Sequence, residues 1–125
     1  MKMKKTPINP TGTGWAQTNR VENAQTLVFI SGQGPVDATG NVPDDTSEQI
    51  RLAWGNVETQ LKDAGLSLAN LTKVTTFLTD RTYIPEMISV RKDVLGLDIA
   101  PTMTLALCGL YDERWKVEIE AIAVA

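Results

Sequence analysis

Two acids stand out by position. Glu118 and Glu120 interrupt the closing run Val117-Glu118-Ile119-Glu120-Ala121-Ile122-Ala123-Val124, which is otherwise apolar. Carboxylates in such a run can order or deprotonate a water molecule. They matter more here because the sequence contains no histidine. That removes Ser-His and Cys-His nucleophiles, imidazole metal ligands and the usual neutral-pH proton shuttle. Acid-base work is left to carboxylates, lysines, tyrosines or bound water. The single cysteine, Cys108, excludes an internal disulfide and reads as a small buried hydrophobe rather than a nucleophile. A second candidate is Ser31-Gly32-Gln33-Gly34-Pro35. Its glycines and proline predict a bent or bulged strand end, and small residues there let a ligand approach the backbone.

The elements that must position these groups follow from pattern. The 125 residues make one domain, residues 1–125. The lead-in to Gly14, with Pro7, Pro10 and Gly12, predicts irregular chain, and Trp15 opens a strand running to about Val21. Thr26 to Ile30 predicts a second strand, forming a hairpin with the first. Asp45 and Glu48 have capping-box spacing, and Ile50, Ala53, Trp54, Val57, Leu61 and Ala64 share a helical face ended by Gly65. Trp54 on that face is core. Gly55, inside the helix, costs ~1 kcal/mol relative to Ala, which close approach of another backbone would explain.

Leu71 to Leu78, rich in Thr and Val, predicts a strand. A second helix starts near Pro85, with Ile84, Ile88, Arg91 and Leu95 in one line, Met87 and Val94 beside it, and Gly96 at its end. Pro101 opens the closing pair of strands, joined by a solvated turn at Asp112-Glu113-Arg114. The order is β-β-α-β-α-β-β, an α+β sandwich: one mixed sheet with two helices on one face. The other face also carries apolar side chains and calls for cover by a second copy of the chain.

Net charge is −3, and the only positive cluster is Met1-Lys2-Met3-Lys4-Lys5. Both argue against a nucleic-acid partner, which calls for a basic face. No apolar run spans a bilayer, and the basic start lacks the apolar stretch of a secretory signal, so the sequence reads as cytoplasmic.

Leu27 to Val36, Asp63-Ala64-Gly65-Leu66, Leu71 to Asp80 and Val117 to Val124 together resemble the reactive intermediate deaminase (RidA/YjgF) family. The resemblance covers nearly the whole chain in the right order. It implies a chorismate-mutase-like fold and a homotrimer, with three sheets packed into a barrel-like core and a ligand cleft at each subunit interface. Members with the full site hydrolyse 2-aminoacrylate-type enamines and imines to ketoacids and ammonia, without metal or cofactor. Translation-inhibitor and endoribonuclease labels also occur in the family; the acidic, His-free composition weighs against them here.

Carried over position by position, the resemblance makes Glu118 the catalytic acid that positions the attacking water. Trp15, Ser31, Gly32, Met103 and Leu105 become substrate-binding positions. Trp15 stands where the family has Tyr, and Leu105 where many members have Cys. Met103 stands where the family has the Arg that grips a substrate carboxylate. Met103, Leu105 and Leu107 alternate onto one strand face, so that face is apolar throughout. Leaving a buried charge unpaired costs ~2–5 kcal/mol, on the order of 30- to 3,000-fold at ~1.4 kcal/mol per decade. A neutral or cationic, partly apolar ligand follows, unless Arg91 or Arg114 enters the cleft and replaces the lost cation. Three functions follow: a hydrolase of a different enamine, imine or related C–N compound; a non-catalytic metabolite-binding trimer; and an RNA-directed role.

Overall fold

The computed structural model describes residues 1–125. Local sequence accounts for most of its elements. The first helix, α1 (Thr46–Asp63), starts where the Asp45 carboxylate accepts the Glu48 backbone N–H at 3.0 Å. It ends at Gly65, whose φ of +80° suits glycine. Ile50, Ala53, Trp54, Val57 and Leu61 are fully buried along its inner face. Gly55 lies on the outer face, and a Cβ there would meet nothing within 4 Å. No neighbouring backbone in the chain explains it. Gly55→Ala therefore raises unfolding stability by about 1 kcal/mol through helix propensity alone, measurable by urea denaturation.

The strands are β1 (Lys4–Pro10), β2 (Ala16–Glu22), β3 (Leu27–Gln33), β4 (Leu71–Leu78), β5 (Thr102–Leu107) and β6 (Val117–Val124). The second helix, α2 (Ile84–Leu95), lies between β4 and β5 and ends at Gly96. One mixed six-stranded sheet forms in the order β1-β2-β5-β4-β6-β3. Both helices pack on one face, where Val74, Leu78, Val117, Ile119 and Ala121 meet Trp54, Leu61, Met87 and Val90 in one core. This is the expected α+β arrangement.

Several local expectations change. The lead-in is not irregular: it forms β1, antiparallel to β2, with Pro7 opposite Asn19. β1 is an edge strand, where a missing proline N–H is tolerated. The predicted β2–β3 hairpin does not form; β3 pairs with β6 at the opposite edge. The closing strands are not neighbours either, because β4 lies between β5 and β6. The buried stripe of α2 is Met87, Val90 and Leu95, which leaves Ile88 and Arg91 at the rim. Cys108 is exposed rather than buried.

Polar clamps fix the segments around the site. Buried Gln49 donates to the carbonyls of Pro43 and Arg114 at 2.8 and 2.9 Å and accepts the Lys116 N–H at 2.8 Å. That anchors the entry to β6. Asn56 Nδ2 donates to the carbonyls of Gly34 and Val36, both at 2.9 Å, and anchors the exit from β3. The Trp115 ring lies against Gly34, where a Cβ would come within 2.6 Å of it. No helix of the chain is long and apolar enough to cross a membrane.

Candidate functional site

The six candidate residues fall into two groups. The first surrounds a cavity of about 260 Å3 between α2, the start of β2 and β5. Trp15, Met103 and Leu105 line it with Met87, Ile88 and Arg91, and Thr76 and Thr104 complete its wall. No carboxylate lines it. β2 meets β5 only at the pair Ala16 and Thr102, so β5 is unpaired on that side beyond Thr102. The Cys108 N–H points toward β4, donating to Leu78 O at 3.0 Å. By strand alternation, the N–H and C=O groups of Met103 and Leu105 point to the unpaired edge beside the cavity.

The loop carrying Trp15 is held from three sides. The Thr11 hydroxyl donates to Trp15 O at 2.9 Å. Gly14, at φ +96°, packs so closely on α2's exit that a Cβ would stand 3.1 Å from Gly96 O. Arg91 Nη2 donates to Thr13 O at 2.8 Å. The sequence offers Arg91 as a cation reaching the cleft from a neighbouring subunit; here it stands in the wall of its own chain's cavity, beside Ile88 on the same helix face. Its Nε is buried without a partner, and burial lowers its pKa from the ordinary arginine value. The other candidate cation, Arg114, is exposed and bonded to Asp112 through Nε at 3.0 Å and Nη2 at 2.8 Å. That pairing holds the Asp112 carboxyl down at about 2.

The second group is Ser31, Gly32 and Glu118. The β3–β6 register shifts between Ile30 and Gln33, so the expected bulge is present at Ser31-Gly32. The bulge lays the backbone against Glu118: a Cβ at Gly32 would stand 2.7 Å from Glu118 Cδ and 2.8 Å from Oε2. Glu118 is half-buried, and the chain's four ion pairs involve other residues.

One chain does not bring the two groups together. Met103 pairs with Val74 and Glu118 with Phe77, three residues further along β4. The two backbones are therefore about 14 Å apart from strand spacing and rise. Their side chains also point to opposite faces. Met103 and Leu105 share the helix face with Val74 and Thr76, while Glu118 and Glu120 share the open face with Phe77 and Thr75. That open face carries Phe77, Ile122 and Phe29, the last 72% exposed.

A family model described as Endoribonuclease L-PSP matches residues 12–125. Protein mmf2, mitochondrial, of Schizosaccharomyces pombe is 37% identical over 125 residues, 97% of this chain and 98% of that protein. TdcF of Escherichia coli K12, assigned by name to the reactive intermediate deaminases, is 38% identical over 101 residues, 78% of each chain. The crystal structure of E. coli TdcF with bound serine matches with a TM-score of 0.75 at 33% identity, covering 97% of this chain and 99% of that one. The Rid-family protein YyfB of Yersinia pestis matches with a TM-score of 0.82 at 20% identity, covering 97% and 98%, a likeness of fold. Sequence match and sheet topology agree: this chain belongs to the reactive intermediate deaminase (RidA/YjgF) family.

Proposed function

We propose that the protein hydrolyses a small enamine, imine or related C–N compound to a carbonyl compound and ammonia. The site is a cleft between subunits of a homotrimer. One subunit contributes the Trp15–Met103–Leu105 cavity, and its neighbour contributes Ser31, Gly32 and Glu118. The observation that carries this reading is the placement of the two groups on opposite faces of one sheet, about 14 Å apart. A ligand in the cavity meets an acid only if another copy supplies it. The open face, with Phe29, Phe77 and Ile122 uncovered, is the surface such a copy would bury.

In this arrangement Glu118 accepts a proton from water as its oxygen adds to the imine carbon. Ser31 hydrogen-bonds the substrate, and the free backbone edge at Leu105 helps place the water. Glu118 hands that proton to nitrogen, giving the carbinolamine; it then takes the hydroxyl proton and delivers it to nitrogen as the C–N bond breaks, so ammonia leaves and the carbonyl forms. No electrons are gained or lost overall. The reaction class rests on the names of relatives such as TdcF. Met103 leaves β5 without a cation of its own.

The test is ammonia release from a panel of small imines and enamines, charged and uncharged, with the full chain. Steady release above the spontaneous rate is expected. Thermal stabilisation by ligands that are never turned over would instead establish the second reading, a metabolite-binding trimer. That reading is favoured by one feature, a well-walled cavity that lacks an acid within its own chain. An RNA-directed role has no counterpart in the geometry, given the net charge of −3 and the absence of histidine.

A further inference from the structure

We propose that Arg91, on α2, is the anion-binding group of this cavity and that the ligand it selects carries a carboxylate. The proposal deepens the cleft reading above and rests on it for the cavity's role. It reverses the preference for a neutral or cationic ligand that Met103 alone implies.

Arg91 carries unmet hydrogen-bonding capacity. Arg91 is the only charged residue lining the cavity. It takes part in none of the chain's ion pairs. Of its five N–H donors, one is bonded to the Thr13 carbonyl and the Nε is enclosed without a partner, while Nη1 is unpartnered and not enclosed, so a ligand can reach it. A guanidinium half withdrawn from water keeps its charge, so leaving its donors unmet in an apolar wall is costly. A bound anion meeting the Nη donors would offset that cost.

A carboxylate suits the donors better than a neutral carbonyl. Charge-assisted hydrogen bonds are about twice as strong as neutral ones, and the planar fork matches two carboxylate oxygens. The rest of the wall sets the ligand's body. Trp15, Ile88, Met103 and Leu105 offer apolar surface around about 260 Å3, room for a short acid. Arg91 stands on the helix rather than the strand, so the carboxylate end lies toward α2 while the apolar body rests on Met103 and Leu105. The Thr13 contact ties this cation to the loop that presents Trp15, so charge recognition and the aromatic wall are set together. Arg114 cannot serve, because its fork is already spent on Asp112.

The test compares butanoate with butanamide, which differ in charge at nearly constant shape. Calorimetric titration of the full chain is run at about 0.15 M salt, where nonspecific long-range attraction is screened. Wild type is expected to favour the acid by at least about tenfold. Arg91→Met is expected to lose that preference: acid affinity falls by at least about tenfold more than amide affinity, which drops only as far as losing the Thr13 tie loosens the Trp15 loop. Arg91→Lys is expected to keep part of it, as a point charge without the fork. The melting temperature of ligand-free Arg91→Met is expected to change little, because removing the unpartnered Nε offsets loss of the Thr13 contact. The proposal is overturned if wild type binds no acid, binds acid and amide alike, or loses both equally in Arg91→Met. If Arg91→Met fails to fold, the wild-type ratio and Arg91→Lys decide the matter. Binding is read without turnover, so absent ammonia release with the acid preference intact would remove the hydrolase and leave Arg91 in place.

Discussion

Glu118→Gln lowers ammonia release by about 100- to 10,000-fold, the usual contribution of a positioned acid-base group. The change keeps the side chain's size and one hydrogen-bonding oxygen, and it breaks no ion pair. The fold is therefore expected to survive it, with an unchanged melting temperature. The loss should appear in kcat, with KM nearly unchanged, because the cavity that holds the ligand is built from other residues. Initial-rate kinetics on the best imine from the panel give both constants. Equal kcat in the variant and wild type would remove Glu118 from the mechanism.

Gly32→Ala reaches the same acid without altering it. The new Cβ would stand 2.7 Å from Glu118 Cδ, closer than such atoms approach. The obstructed group is the end of a flexible side chain, so the chain folds and the carboxylate moves aside. A displacement of about 1 Å from a reacting group costs on the order of 100-fold. Gly32→Ala is therefore expected to lower turnover by about that factor, with a smaller loss of ligand affinity because most of the cavity is built from other residues. The measurements are single-turnover rate and calorimetric affinity on the same preparation. Wild-type turnover in Gly32→Ala would show that Glu118 is not held where the chemistry needs it. The same variant in a Glu118→Gln background should add little further loss, because the two substitutions act on one group.

Local chemistry made much of this fold legible. The Asp45 cap, the Trp54 face of α1, the extent of β4 and the bulge at Ser31-Gly32 each follow from a few adjacent residues. What local pattern did not supply was strand order. β1 contains two prolines and looks irregular until β2 pairs with it. β5 and β6 are consecutive in sequence but separated in the sheet by β4, and only that order fixes their relative faces. Alternation put Met103 with Leu105, and Glu118 with Glu120. It could not reveal that the two pairs face opposite ways, because that depends on pairing over long sequence separation.

Arg91 is the companion lesson. Its periodicity in α2 was visible, yet its place beside Met103 depends on where the helix lands on the sheet. The cavity thus retains a cation even though the strand position expected to carry one holds methionine. A residue-by-residue transfer from the family would miss it, since the charge comes from a different element.

The central claim is that the cavity and its acid come from different subunits. Complementation tests it most directly. Glu118→Gln keeps an intact cavity, while Leu105→Glu fills the cavity with a side chain that can pair with Arg91 and keeps an intact Glu118. Each homomeric variant is expected to be inactive. In a ring of identical interfaces, equal random mixing places an intact cavity beside an intact acid in about one quarter of sites. Co-assembled protein should therefore recover about a quarter of wild-type ammonia release, as that pairing requires. Recovery no greater than the sum of the two parents, in oligomers shown by mass to contain both variants, would contradict the account.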